Sequence, residues 1–220
     1  MNILFAGNSL TYYNDMPWLL HEMEAARGRS IYVRQMTRGG GYLAELLFGN
    51  SEHHRRFCFD LKEKKWDWVV LQDQTINPCE NPAQFRETVT RLAAQVRQAG
   101  AKPALYATWA YKPGSDLLPE NNTTYEAMRD GLAAAYCKAG EANGAPVIPV
   151  GMIFDAAVKA LPEVELYNPD CRHPSLAGSF LCAAAFDRFL LGAEAPSAYV
   201  PEELDVQTAQ KLWKLVLSWK

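Results

Sequence analysis

The chain has 220 residues, of which 49% are hydrophobic and 21% are charged, and its formal net charge is −3. This balance is typical of a globular protein and excludes a disordered chain. Because no basic stripe stands out, we expect neither nucleic acid nor an anionic membrane as a partner.

The cysteines and the N-terminus exclude further classes of protein. Five cysteines without a CxxC pair argue against a zinc ribbon, a redox pair or a disulfide framework. Histidines such as His21, His53 and His54 lack partners at metal-ligand spacing, so we expect no metal and no cofactor. The first residues lack a basic n-region and are interpreted as a strand, which favours a cytoplasmic protein. No stretch of the ~20 apolar residues that a membrane span needs is present.

Short apolar runs alternate with longer amphipathic segments from the N-terminus to about Ala160. The runs predict five strands, at residues 3–6, 31–36, 68–71, 103–107 and 146–150. Helices are predicted between them, from Asp15 to near Gly28, from about Leu43, from Asn81-Pro82 to Gly100, and over 123–142.

This alternation predicts an α/β fold, a three-layer α/β/α sandwich around a flavodoxin-like, doubly wound parallel sheet of about five strands. Residues 1–220 are predicted to form a single domain, since no linker or repeat divides them. Residues 202–220 present one apolar helical face and are predicted to form a C-terminal helix docked on the body. In such sheets, ligands bind beyond the carboxyl ends of the strands, where the chemistry is therefore expected.

Ser9 is the first candidate for that chemistry, because it follows the first predicted strand in the segment Gly7-Asn8-Ser9-Leu10. A glycine permits a sharp turn there, and the serine would project from the end of the sheet. A serine at this place can also merely cap the next helix. Neither phosphate-binding loop motif is present, and Thr11 breaks the GxSxG pattern of α/β-hydrolases.

Asp170 and His173 lie three residues apart on one predicted loop, in the segment Asn168-Pro169-Asp170-Cys171-Arg172-His173-Pro174-Ser175. A carboxylate at that spacing can hold the imidazole tautomer and stabilise the imidazolium that forms when histidine takes a serine proton. Taken singly, Asp170 can be a helix cap, and His173 can be a polar residue at a helix start whose hydrogen bonds are satisfied. The combination with Ser9 predicts nucleophilic catalysis.

These two segments resemble the end blocks of the SGNH hydrolases. Gly7-Asn8-Ser9-Leu10 is similar to the GDSL block, with Asn8 in place of the usual aspartate, and Asp170 to Ser175 is similar to the block that carries both other triad members. The resemblance implies Ser9 as nucleophile and the Asp170/His173 pair as its base. It also implies that the Gly40 N–H and the Ser9 N–H belong to the oxyanion hole.

The sequence departs from the family pattern after the third strand, where the usual block supplies an asparagine. Here the strand continues into Gln72-Asp73-Gln74-Thr75. Some sugar-ester branches of the family look similar in having a glutamine there, and a glutamine amide is chemically equivalent to an asparagine amide. We expect Gln72 to complete the oxyanion hole, with Gln74 as the alternative. Either glutamine can instead satisfy loop backbone.

The aromatic residues Trp109, Tyr111 and Tyr12 are the candidate substrate-binding residues and, with Tyr13 next to Tyr12, could form a wall suited to a sugar ring. Such residues at strand ends are equally often packing residues. Asn14 and Asp15 can either bind substrate or cap the helix, and capping is the favoured interpretation. Cys171 is interpreted as a packing residue.

The expected activity is hydrolysis of a short acyl ester, an acetyl ester of a carbohydrate or similar small molecule in particular. The partner is then a small-molecule ester, and the oligomeric state is left open. An acyltransferase with the same triad, a non-catalytic α/β binding module and a nucleotide-binding protein are the alternatives. The missing phosphate loop weakens the last of these.

Overall fold

The apolar runs of the sequence form one sheet of five parallel strands. The computed structural model describes residues 1–219. The strands are β1 (Asn2–Gly7), β2 (Tyr32–Thr37), β3 (Trp68–Leu71), β4 (Lys102–Tyr106) and β5 (Val147–Ile148). Their order is β2-β1-β3-β4-β5, and every neighbouring pair is parallel, with Ile3 of β1 level with Val33 and Trp68.

Helices connect the strands. They are α1 (Ser9–Tyr12), α2 (Met16–Ala25), α3 (Glu52–Glu63), α4 (Asn77–Glu80), α5 (Pro82–Gln98), α6 (Leu117–Glu120), α7 (Tyr125–Asn143), α8 (Val150–Ala160), α9 (Leu176–Phe189) and α10 (Val206–Ser218). Two 3₁₀ turns, Tyr13–Asp15 and Leu43–Leu47, complete the connections.

The core has two halves, one on each face of the sheet. Alternate residues of β1 point to opposite faces, so that Phe5 packs under α2, α8, α9 and α10, while Leu4 packs under α3, α5 and α7. Helices therefore cover both faces, which explains why β1, β3 and β4 are apolar at nearly every position, whereas the edge strand β2 also carries polar residues. The predicted three-layer α/β/α fold is confirmed.

Several element boundaries differ from the predictions. The helix expected from about Leu43 is a 3₁₀ turn, and α3 begins only after Ser51, whose hydroxyl accepts from the His54 N–H at 3.0 Å. Strand β5 has two residues because Pro149, which lacks an N–H, ends it and precedes α8, a helix that the sequence did not predict. Asp15 precedes α2 without capping it through its side chain.

The C-terminal helix α10 begins later than predicted because Asp205 caps it by accepting from the Thr208 N–H at 2.8 Å. Its apolar face, with Leu212 and Trp213, lies in the same core half as α9. Lys220, the last residue of the predicted helix, lies outside the described residues. Within residues 1–219, none of the helices combines the length and the apolar character needed to cross a membrane.

A buried charge cluster joins α2 to α9. The fully buried Asp187 lies 3.0 Å from Arg27 Nη2 and close to the buried Glu24, which pairs with Arg29. Burial raises the pKa of Asp187 to about 7. The Arg27 charge acts to lower this pKa, and the Glu24 carboxyl acts to raise it further. Asp187 is thus an acid whose protonation changes near neutral pH.

Candidate active site

The candidate site lies where the sheet topology reverses. From β1 the chain crosses to β2 on one side, and from β2 it returns to β3 on the other side of β1. The segments that follow β1 and β3 therefore diverge and leave a crevice at the carboxyl ends of these strands. Ser9 follows β1 and Gln74 follows β3 at this crevice.

The structure brings Ser9, His173 and Asp170 together from opposite ends of the chain. His173 Nε2 lies 2.8 Å from Ser9 Oγ, and His173 Nδ1 lies 2.5 Å from Asp170 Oδ2. Ser9 and His173 are buried, whereas Asp170 is partly exposed. Because a carboxylate accepts only, Nδ1 carries the proton and Nε2 is free to accept the Ser9 hydroxyl proton.

The Asp170–His173 loop folds around the Asp170 carboxylate. Asp170 Oδ1 accepts from the backbone N–H groups of Arg172 at 3.1 Å and His173 at 3.0 Å, and Cys171 turns the chain with φ +59°. Burial acts to raise the pKa of Asp170, but the hydrogen bonds from the His173 ring and from the His173 and Arg172 N–H groups hold it below its ordinary value. Asp170 is therefore ionised at neutral pH, as the orientation of His173 requires.

The segment after β4 anchors this loop from outside. The Lys112 N–H donates to the Cys171 carbonyl at 2.8 Å, and Trp109 Nε1 donates to the Arg172 carbonyl at 3.1 Å. Trp109 is buried and stacks on Phe154, with ring centroids 4.4 Å apart. Trp109 thus holds the loop and does not line the crevice, which corrects its expected role in substrate binding.

The other aromatic candidates divide. Tyr111 is buried in the core half with α5 and α7, outside the crevice, so its expected role in substrate binding is also corrected. Tyr12 does line the crevice and is partly exposed. Tyr13, expected beside Tyr12 in the same wall, also lines the crevice and stacks on the His173 ring with centroids 4.2 Å apart and an interplanar angle of 6°.

Asn14 also differs from its expected role as a helix cap. Its side-chain amide donates to the Pro174 carbonyl at 3.1 Å and to Ser179 Oγ at 2.9 Å. The residues after Ser9 are thereby joined to the segment after His173. This link keeps the two halves of the site in register.

Asn8 holds the turn that positions Ser9. Its Oδ1 accepts from the Leu10 N–H at 3.1 Å, and its Nδ2 donates to the carbonyls of Gly41 at 3.0 Å and Asp73 at 3.2 Å. Only an amide can donate to two carbonyls while it accepts from an N–H. This bonding explains why an asparagine occupies the place of the usual aspartate.

Gln72 supports the same turn from below. Its Oε1 accepts from the Asn8 N–H at 2.9 Å and from Thr11 Oγ1 at 3.0 Å, and its Nε2 donates to the Asp73 carbonyl. Gly7 is required here, because a Cβ at Gly7 would lie 2.5 Å from Gln72 Oε1. Gln72 is buried outside the crevice with its amide occupied, so the expectation that it completes the oxyanion hole is corrected.

Gln74, the alternative, lines the crevice. Its Oε1 accepts from the N–H groups of Ile76 at 3.1 Å and Asn77 at 3.2 Å. With the carbonyl end of the amide occupied, Nε2 remains, and it has no acceptor within residues 1–219. Asp73 joins this segment to the residues that follow Gly39-Gly40-Gly41, since its Oδ1 accepts from both the Gln74 and the Leu43 N–H groups at 2.8 Å.

The crevice encloses a cavity of about 180 Å³. Four segments line it: Asn8 and Ser9 with Tyr12 and Tyr13, Gly39 and Gly40, Gln74 and Thr75, and Arg172 and His173. Gly40 has φ +64°, which favours glycine, and its N–H and that of Ser9 have no acceptor in the described part of the chain. Arg172 is a lining residue for which the sequence predicted no role. No group of three or more metal-ligating side chains occurs within residues 1–219.

No family model and no curated protein matches the chain, but solved structures do. A protein from Slackia heliotrinireducens assigned to the SGNH hydrolases is 33% identical, with a TM-score of 0.79 over 86% of this chain and 98% of that one. A DUF4886 family protein from Bacteroides uniformis is 18% identical, with a TM-score of 0.84 over 99% of this chain and 93% of that one. An acetyl xylan esterase from Geobacillus stearothermophilus is 18% identical, with a TM-score of 0.64 over 89% of this chain and 97% of that one.

The two likenesses at 18% identity show the fold. The likeness at 33% extends over nearly the whole of the other chain and includes the sequence as well as the fold. The chain therefore belongs to the SGNH hydrolases and is an enzyme that hydrolyses esters.

Proposed function

We propose that the chain is a serine esterase that removes short acyl groups, above all acetyl groups on a carbohydrate or similar small molecule. The observation that carries the proposal is the series Ser9 Oγ, His173 Nε2, His173 Nδ1 and Asp170 Oδ2, with contacts of 2.8 Å and 2.5 Å. A hydroxyl, an imidazole and a carboxylate in this order form the Ser-His-Asp triad of acyl transfer.

In the first step, Ser9 Oγ attacks the ester carbonyl while His173 Nε2 takes the hydroxyl proton. Asp170 holds Nδ1–H and stabilises the imidazolium that forms. The parallel stack of Tyr13 on the ring, 4.2 Å between centroids, limits rotation of the imidazole. The tetrahedral intermediate then collapses, and His173 returns the proton to the leaving alcohol.

The negative charge on the carbonyl oxygen needs donors that are already in place. The Ser9 and Gly40 N–H groups and the Gln74 amide line one cavity and lack acceptors in the described part of the chain. We assign these three groups to the oxyanion hole. Preorganised donors of this kind each contribute about 2.7–4 kcal/mol to transition-state stabilisation.

In the second step, water replaces the alcohol. His173 takes a proton from the water as it attacks the acyl-Ser9 carbonyl, and the carboxylic acid leaves as Ser9 regains its proton.

The size of the cavity supports a short acyl group. Its volume of about 180 Å³ is below the ~300–1,000 Å³ that is typical of pockets for drug-sized ligands. Tyr12 at the crevice offers an aromatic face of the kind that sugar rings contact, and one solved structure of similar fold is an acetyl xylan esterase. A carbohydrate acetate combines the two features.

Labelling with a fluorophosphonate tests the nucleophile. The wild-type protein is expected to take one label, and Ser9→Ala is expected to take none while its melting temperature stays close to that of the wild type. Ser30→Ala is the matched control, because Ser30 is exposed and lies outside the crevice. Labelling of Ser9→Ala would refute the assignment.

Hydrolysis of p-nitrophenyl esters of increasing chain length tests the acyl group. The value of kcat/KM is expected to be highest for acetate and to fall as the chain lengthens beyond butyrate. Acetylated xylose and acetylated glucosamine test the alcohol part, through the release of acetate. A maximum at octanoate or longer would contradict the short-acyl proposal.

A further inference from the structure

Arg172 is a cation without an anion. Two other half-buried arginines of the chain pair with carboxylates, Arg27 with Asp187 and Arg34 with Asp60. The guanidinium of Arg172 has neither a carboxylate within 4 Å nor a hydrogen-bond acceptor in the described part of the chain. Its Nε is buried and unpartnered. Leaving a buried donor unpaired is unfavourable, so this guanidinium is suited to an external acceptor.

The position of Arg172 is fixed by its backbone. Its N–H donates to Asp170 Oδ1 at 3.1 Å, and its carbonyl accepts from Trp109 Nε1 at 3.1 Å. Arg172 therefore leaves a rigid turn directly before His173, and its side chain lines the same cavity as Ser9. The neighbouring carboxylate of Asp170 is already occupied by His173.

The cavity offers Arg172 nothing to neutralise it. Its other lining residues in the described part of the chain are a histidine, tyrosines, glycines and neutral polar residues, with no acidic side chain among them. A guanidinium presents paired N–H donors that match the two oxygens of a carboxylate. The unpaired cation thus faces the volume in which the substrate reacts.

We propose that the substrate carries an anionic group, a carboxylate in the first place, that Arg172 binds while the ester lies at Ser9. This inference rests on the proposed esterase function and specifies which esters the enzyme prefers. The anion can belong to the acyl part, as in a monoester of a dicarboxylic acid, or to the alcohol part, as in the acetate of a hydroxy acid or of an acidic sugar.

Matched ester pairs test the proposal. For the acyl part, the pair is mono-p-nitrophenyl glutarate and its neutral carbamoyl analogue; for the alcohol part, it is 3-acetoxybenzoate and 3-acetoxybenzamide. The readout is the ratio of kcat/KM for the anionic ester to that for the neutral ester. Wild type is expected to favour the anion in one pair, and that pair identifies the part that carries the charge.

Arg172→Gln is expected to lower that ratio by about tenfold to a hundredfold, the range expected for hydrogen bonds to a charged group. Arg91→Gln is the control, because it removes the same charge from an exposed position on α5, outside the cavity. The ratio should stay at the wild-type value in this variant. If Arg172 instead only stabilised the oxyanion, Arg172→Gln would slow both members of a pair equally, and the unchanged ratio would overturn the proposal.

Binding to the inactive enzyme separates this inference from the proposed function. Calorimetric titration of Ser9→Ala with mono-p-nitrophenyl glutarate and with 3-acetoxybenzoate should show binding of at least one, weakened about tenfold or more by adding Arg172→Gln. Absence of turnover in wild type together with this binding would refute the esterase proposal and keep the anion site. Turnover of neutral esters without an anion preference in either pair, or with a preference that survives Arg172→Gln, would refute the anion site alone.

Discussion

Replacing Asn8 by aspartate, the residue usual at this place in the family, is expected to destabilise this protein. Asn8 is buried, and its Nδ2 donates to the carbonyls of Gly41 and Asp73 at 3.0 and 3.2 Å. An ionised carboxylate would set an oxygen against two carbonyl oxygens, with no donor between them. Asn8→Asp therefore converts two hydrogen bonds into repulsive contacts, or forces the new side chain to take up a proton.

Proton uptake sets the upper limit of the loss. Protonation costs about 1.4 kcal/mol for each pH unit above the ordinary pKa of about 3.9, hence about 4 kcal/mol at pH 7 and about 1.5 kcal/mol at pH 5. The protonated acid has one O–H for two acceptors, so roughly 1 kcal/mol more is lost with the second hydrogen bond. The free energy of unfolding is thus expected to fall by up to about 5 kcal/mol at pH 7 and about 2.5 kcal/mol at pH 5.

The direction of the pH dependence follows from linkage. The buried carboxyl has a folded pKa above its unfolded value, so the folded state holds a proton that the unfolded state releases, and stability falls as the pH rises. Urea unfolding of wild type and variant at pH 5 and pH 7 measures the difference. Asn8→Ala is the control, because it loses about 2–4 kcal/mol through the two lost Nδ2 hydrogen bonds and the Gly41 carbonyl that is left unpaired, but it introduces no titrating group.

The two variants must behave differently for the reasoning to hold. The loss in Asn8→Asp should grow from pH 5 to pH 7, and the loss in Asn8→Ala should be the same at both. An Asn8→Asp protein as stable as wild type at pH 7, or a loss independent of pH, would show that Nδ2 does not hold the two carbonyls.

Three further changes test other parts of the structure. Gln74→Ala is expected to lower kcat by ~10²–10³ with little effect on KM. Gln72→Ala should mainly lower the urea concentration at the midpoint of unfolding. A kcat near that of wild type for Gln74→Ala would exclude the Gln74 amide from the oxyanion hole. Trp109→Phe keeps an aromatic ring over Phe154 but removes the donor to the Arg172 carbonyl. It should therefore lower the free energy of unfolding by about 1 kcal/mol, measured with urea, and lower kcat several-fold. Trp68→Phe is the control for the loss of an indole elsewhere. For Asp187, whose folded pKa of about 7 lies above its ordinary value, the contribution to stability is present at low pH and is lost as the pH rises from about 4 to about 7. Asp187→Asn should therefore gain stability relative to wild type as the pH rises through this window, and an equal difference at pH 5 and pH 7.5 would contradict the raised pKa.

The sequence was sufficient for the fold because strands and helices leave local periodic patterns. The residues that form β1, β3 and β4 are apolar on both faces of a sheet covered on both sides, and the helices between the strands have one apolar face. The boundaries that were missed, at β5 and at the start of α3, depend on the missing N–H of Pro149 and on the cap at Ser51. These are local effects that hydrophobic periodicity does not report.

The site residues that depend on neighbours in the sequence could be predicted, and those that depend on distant segments could not. Asp170 and His173 could be paired from the sequence because they lie only three positions apart, and the end of β1 indicated Ser9. The roles of Gln72 and Gln74 could not be separated, since both follow β3 with the same parity. Only the tertiary structure separates them. Gln72 Oε1 accepts from the Asn8 N–H and from the Thr11 hydroxyl, whereas Gln74 lines the crevice. The tertiary structure likewise places Trp109 in the core and leaves Arg172 without a carboxylate, because these outcomes depend on contacts between segments far apart in the sequence.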